Sequence, residues 1–186
     1  MGIPTLIKAQ TASDSASLDF VDGTSDVVLD GTYDEYMFVF TDIGPATDAV
    51  EFQFQVNATD DAGGGYDTSL ITSTVCRVYH SEADSNTSPE YQTAYDLAQS
   101  ASFQTIGQGI GNDSDGSAAG ILHLFSPSST TYVKHFYSRF SCMHSNSAED
   151  EVYAAGYIND TTAIDEIQFK MSSGNFDGVI QLYGIA

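Results

Sequence analysis

The 186-residue sequence predicts an all-β, single-domain protein, an antiparallel jelly-roll-like β-sandwich of about nine to ten strands. Three observations predict it. Apolar and polar residues alternate at period two along most of the chain. Turn-forming Gly, Pro, Asp and Asn fall between the alternating runs. Helical periodicity is nearly absent. The length fits one domain with a substantial core.

The elements follow in order. Residues 1–16 are polar and weakly patterned, and read as an N-terminal arm or edge segment. If the arm docks on a neighbouring subunit, deleting residues 1–14 should spare folding and abolish assembly. Residues 17–186 form the sandwich. Leu18 and Phe20 alternate with Ser17 and Asp19. Residues 33–41 are aromatic and β-branched, with Tyr36, Phe38 and Phe40. Val50, Phe52, Phe54 and Val56 interleave with Glu51, Gln53 and Gln55, the clearest half-buried strand. Disrupting Phe52 or Phe54 should unfold the monomer. Residues 75–80, 102–106, 121–125, 132–143, 152–158, 164–171 and 176–185 read as further strands.

Asp22-Gly23, Asp30-Gly31, Ile43-Gly44-Pro45, Gly63-Gly64-Gly65, Asp115-Gly116, Ser126-Pro127, Ser173-Gly174-Asn175 and Asp177-Gly178 supply turn chemistry. Residues 84–88 and 107–117 read as surface loops. The best helical candidate is 90–100, where Tyr91, Ala94, Tyr95 and Ala98 would share a face. So many strands with some long connections favour a jelly roll over an immunoglobulin-like sandwich.

The charge is lopsided: 26 Asp and Glu against 5 Lys and Arg, a net charge of -21. Spread over about 8,700 Å² of surface, the net charges lie about 20 Å apart. That exceeds the ~8 Å screening length at physiological salt, so the repulsion is tolerable there. A nucleic-acid backbone or an anionic membrane would meet repulsion, and neither is expected as a partner. No apolar run approaches the ~20 residues of a membrane span, and no secretory leader pattern opens the chain. Cys76 and Cys142 read as two small buried hydrophobes, and could pair only across neighbouring strands.

Catalytic signatures are missing. Asn112-Asp113-Ser114-Asp115-Gly116 resembles half a calcium loop, but Gly111 and Leu122 occupy its first and twelfth positions. Asp60 and Asp61, with Glu51 or Asp67, read as solvated turn carboxylates rather than a cation site. His80, His123, His135 and His144 show no metal-binding spacing; His123 and His135 would meet only across a hairpin and would lack a third ligand. Gly107-Gln108-Gly109-Ile110-Gly111 lacks the third glycine and the βαβ setting of a dinucleotide site. The chain is not expected to be an enzyme, and no catalytic, cofactor-binding or metal-binding residue is assigned. Tyr66, Tyr91 and Tyr95 stand in polar contexts and are candidate platforms for a glycan.

Several stretches carry a resemblance. They are Thr32-Tyr33-Asp34-Glu35-Tyr36-Met37-Phe38-Val39-Phe40, Ile43-Gly44-Pro45-Ala46-Thr47-Asp48 and Leu122-His123-Leu124-Phe125-Ser126-Pro127-Ser128-Ser129-Thr130. The last is Ser172-Ser173-Gly174-Asn175-Phe176-Asp177-Gly178-Val179-Ile180-Gln181-Leu182-Tyr183-Gly184-Ile185. This ensemble resembles small β-rich virion structural proteins of tailed bacteriophages, especially marine ones infecting cyanobacteria. The resemblance implies a virion protein made in the bacterial host cytoplasm. Its first reading is a capsid decoration, knob or cement protein on the outer head surface. Its partners would be the major capsid protein or neighbouring virion proteins, with a homotrimer expected. The alternative is a tail or baseplate-associated adsorption module that binds host surface glycan. The resemblance carries strand and turn patterns, and no functional residues.

Overall fold

The computed structural model describes residues 2–59, 66 and 69–186. Gly63-Gly64-Gly65, Asp60, Asp61 and Asp67 lie outside the described residues. All strand pairings are antiparallel, and none of the described residues lies in a helix.

Twelve strands form among the described residues: β1 (Thr5–Ser15), β2 (Leu18–Val21), β3 (Glu35–Pro45), β4 (Val50–Ala58), β5 (Ile71–Ser81) and β6 (Thr87–Tyr91). They continue with β7 (Gln104–Ile110), β8 (Ala118–Phe125), β9 (Lys134–His144), β10 (Ala148–Ile158), β11 (Ile164–Met171) and β12 (Phe176–Ile185). Hydrogen bonds run in the order β1-β12-β3-β8-β9-β10-β5-β6. A second path runs β7-β4-β11-β2 and joins the first at the single pair Ile110–His144. The sheet thus folds over into a long layer and a short one, nearly closed like a barrel.

Phenylalanines fill the space between the layers. Phe169 of β11 lies 5.1 Å, centroid to centroid, from both Phe38 and Phe40 of β3. Phe52 stacks on Phe140 at 5.5 Å, and Phe54 meets Phe136 edge-on at 5.1 Å. Phe52, Phe54, Phe140 and Phe169 are fully buried. The alternation read in β2, β4 and β11 aims these rings at the opposite layer, which is why one face of each strand is apolar.

Three expectations change, and one open alternative closes. Of the arm and the edge segment, residues 5–15 are the edge segment: β1 pairs with β12 along its length as the edge strand of the long layer. Ala12 is buried there, and deletion of residues 1–14 removes a strand of this chain. Residues 107–110 are not loop but part of β7. Gly107 is there because a Cβ would come within 2.6 Å of the Phe140 ring. Residues 90–100 form no helix. Tyr91 closes β6 on β5, only one helical turn follows at Asp96–Gln92, and the chain then lies as a strap over β5. Ser73 and Gln55 tie it down: Leu97 N–H donates to Ser73 Oγ (2.9 Å), and Gln55 Nε2 donates to the Ala101 carbonyl (3.0 Å). Asp177-Gly178 is not a break but an irregularity inside β12, with Gly178 at φ 139°.

The hairpin of β9 and β10 turns through 145–147, with Ser147 at φ 53° and its N–H bonded to the His144 carbonyl. That is a three-residue loop ending in a left-handed residue.

Phe140 is gripped from both sides. A Cβ on Gly120 would lie 2.5 Å from its ring and 2.6 Å from the Arg139 carbonyl oxygen. Gly120→Ala is therefore expected to cost about 1–3 kcal/mol by overpacking. At Gly31 a Cβ would meet only Ser128 Oγ, at 3.7 Å. Thermal melts should separate the two alanine variants, with Gly31→Ala near wild type.

Candidate interaction surface

The inner face of the long layer is the core. Among the described residues no strand packs across its outer face, which Gly2 and Pro4 border beside Met37 and His123. β3 presents Glu35, Met37, Val39 and Thr41 outward; β8 presents Ala119, Ile121, His123 and Phe125. β9 adds Tyr137, Arg139 and Ser141, and β10 adds Glu149, Glu151, Tyr153 and Ala155. Cys76 and Val78 of β5 continue the surface toward Tyr91.

One row crosses the layer as Tyr91, Cys76, Tyr153, Arg139, Ile121, Val39 and Gln181, each opposite the next in register. Tyr153 and Tyr137 are 37% and 44% exposed, large for aromatic rings on a sheet face. Depressions open among Cys76, Ile121, Tyr137, Tyr153 and Ala155, and between Met37, His123, Tyr137 and Ile185.

Two strands are informative in themselves. Tyr36-Met37-Phe38-Val39-Phe40 and Ile121-Leu122-His123-Leu124-Phe125 are apolar or aromatic at both parities. Such continuous runs belong to strands buried on both faces. In the monomer one face is fully buried, while on the other Met37, Val39, Ile121 and Phe125 stay half-buried.

The three carboxylates on this surface, Glu35, Glu149 and Glu151, each have a partner, but only Glu151 has an arginine. Glu35 is bonded to His123 Nδ1, and Glu151 to Arg139 Nε. His123 lies nearly buried, stacked on Tyr137 with centroids 4.5 Å apart. The Arg139 guanidinium also lies 5.9 Å from the Tyr153 ring centroid. Glu149 accepts from Ser141 Oγ at 2.7 Å, toward one end of the face. An aromatic face with three carboxylates and one arginine, all of them bonded within the face, sits on a chain of net charge -21.

A second cluster lies on the inner side, where the long layer overhangs β7. Asp150 is fully buried. Its Oδ2 accepts from Arg77 Nη1 (3.2 Å) and Gln108 Nε2 (3.1 Å). Its Oδ1 meets no hydrogen-bond partner among the described residues. Burial pushes the Asp150 carboxyl above its usual range, and the Arg77 charge pulls part of the way back. Arg77 also binds Glu90 Oε2 through Nε and Nη2, at 3.0 and 2.8 Å, and holds that carboxyl below its usual range. Burial lowers the basicity of nearby His144, whose ring meets Tyr79 edge-on. Arg77 thus ties buried Asp150 to Glu90, and the arrangement is a packed ion pair at the step between the layers.

The residues singled out from sequence fall apart in space. His123 and His135 do not meet, because His123 stands opposite Tyr137 in the hairpin register. His80 bonds Asp84 at 3.2 Å on an exposed turn. Cys142 is buried, its thiol pushed up chiefly by burial, but Cys76 is exposed, against expectation. β10 separates their strands, so the two do not pair. Among the described residues, no three His, Cys, Asp or Glu side chains converge as metal ligands. Of the tyrosines, Tyr95 packs against the core and donates to Glu51, while the part-buried Tyr66 turns its hydroxyl toward Asp19 and Glu166. Tyr91 is 55% exposed, with its hydroxyl fixed on Asp96 Oδ2 at 2.6 Å. The chain matches no protein-family model, and no curated protein sequence matches it.

Proposed function

We propose that this chain is a bacteriophage virion structural protein, a decoration, knob or cement protein on the outer head surface, built as a jelly-roll-like sandwich. The aromatic outer face of the long layer carries the reading of a structural, interaction-based role. The virion setting rests on the resemblance of the strand and turn sequences. The pairing supports the jelly roll. β1-β12-β3-β8 lie in one layer and β2-β11-β4-β7 in the other, as in two interlocked Greek keys. The β5–β6 and β9–β10 hairpins then extend the first of these sheets.

Decoration would stabilise the shell because a protein that binds only the assembled lattice shifts the equilibrium toward it. The partners are the major capsid protein or neighbouring virion proteins, and the chain itself is a homo-oligomer. The acidic remainder of the surface faces solvent, away from packaged nucleic acid.

Exposed Tyr91 favours a second reading, a tail or baseplate module that binds host surface glycan. Quantitative mass spectrometry of purified particles separates the two. Many copies per particle, with particles less heat-stable when the protein is omitted, are expected for decoration. Few copies, with glycan-array binding lost in Tyr91→Ala, would favour adsorption. Absence from the particle would contradict both.

A further inference from the structure

We propose that the outer face formed by β12, β3, β8, β9, β10 and β5 is the seat of a second copy of this chain. The inference rests on the structural-protein reading above and names the partner that reading leaves open.

Three observations select a copy of the same chain. The first is the pattern of β3 and β8, apolar at both parities but with Met37, Val39, Ile121 and Phe125 on the outer side only half-buried. The second is area. Six strands about 4.8 Å apart, each about seven residues long at ~3.3 Å per residue, make a face of about 650 Å². That approaches the ~800 Å² per partner of a standard stable interface. The third is charge. A cationic partner would be drawn to the exposed carboxylates elsewhere and would gain less here, where Glu35, Glu149 and Glu151 are already bonded to His123, Ser141 and Arg139. A partner that matches this face is itself aromatic with its charges already bonded, and a second copy presents that same surface. Isologous contact also places Arg139, Glu151 and Tyr153 within reach of the partner's equivalents, so buried charges keep opposite charges beside them.

The two copies repel everywhere else. Added salt should therefore strengthen this association, by screening the net charge of each copy while leaving apolar burial intact. Docking on a cationic surface would weaken with salt.

Sedimentation equilibrium of the full chain at low and at moderate salt tests the proposal. Wild type is expected to sediment as a multiple of 19.9 kDa, more completely at the higher salt. Ile121→Arg is expected to return it to the monomer mass with its melting temperature retained. Should Ile121→Arg unfold, Tyr153→Glu serves, because that ring already stands in solvent. Tyr132→Glu, on an exposed loop, should leave the oligomer intact. A wild-type monomer at both salts, or an oligomer indifferent to Ile121→Arg and Tyr153→Glu, overturns the proposal. A monomer that binds particles through this face would overturn the proposal and leave the virion reading standing. An oligomer built through this face but missing from particles would do the reverse.

Discussion

Arg77→Ala is expected to destabilise the fold by about 3–5 kcal/mol at neutral pH, the usual result of stripping one partner from a buried ion pair. The loss falls on Asp150, which is fully buried and depends on Arg77 for its opposite charge. Glu90 is near the surface and returns to water at little cost. The pH dependence has a definite sign. The folded protein holds the Asp150 carboxyl above its ordinary value of 3.8. Over that interval the folded state binds more protons than the unfolded one, so this group's contribution to stability falls as pH rises through it. Removing Arg77 raises the folded value further and widens the interval upward. The melting deficit of Arg77→Ala should therefore be larger at about pH 8 than at about pH 5. Adding Asp150→Asn should recover most of it. An equal deficit at both pH values, unrelieved by Asp150→Asn, would show that Arg77 acts through packing on Tyr79 instead.

Phe169→Ala should cost a similar amount, about 3–5 kcal/mol, through the cavity it leaves. Phe169 touches Phe20, Phe38, Phe40, Phe52 and Phe54, with centroids from 5.1 to 6.4 Å away, so three strands lose a shared neighbour. Against a total stability of about 5–15 kcal/mol, the urea midpoint should fall steeply with little change in slope. Phe169→Leu keeps more of the volume and should fall between. A midpoint close to wild type for the alanine variant would mean that the layers do not pack through this ring.

The core strands were legible because burial on one face leaves a period-two trace. Val50, Phe52, Phe54 and Val56 all turn inward as the alternation requires. Gln55 and Asn57 are buried too, which alternation does not anticipate. The Gln55 side chain is enclosed because the strap at 92–103 lies across it and offers it carbonyls, a long-range event without a local signal. β1 escaped for a related reason. An edge strand with both faces partly wet has no strong pattern, and only its pairing with β12 defines it. The first half of β7 was read as the strand at 102–106, but its second half, 107–110, was hidden by glycines such as Gly107, whose purpose appears only when Phe140 is set beside it. The outer face did leave a trace. Met37, Val39, Ile121 and Phe125 break the alternation of β3 and β8, and an apolar residue on the supposedly wet side marks a second covering surface. The Arg77–Asp150 pair joins residues 73 apart and could not be read from spacing.

The most direct measurement is electron cryo-microscopy of purified particles with this chain traced into density. The account predicts density at regular lattice points on the head, with the acidic surface outward and Ile121, Tyr137 and Tyr153 buried against another copy. Density in which that face stands bare in solvent, or particles without the chain, would contradict it.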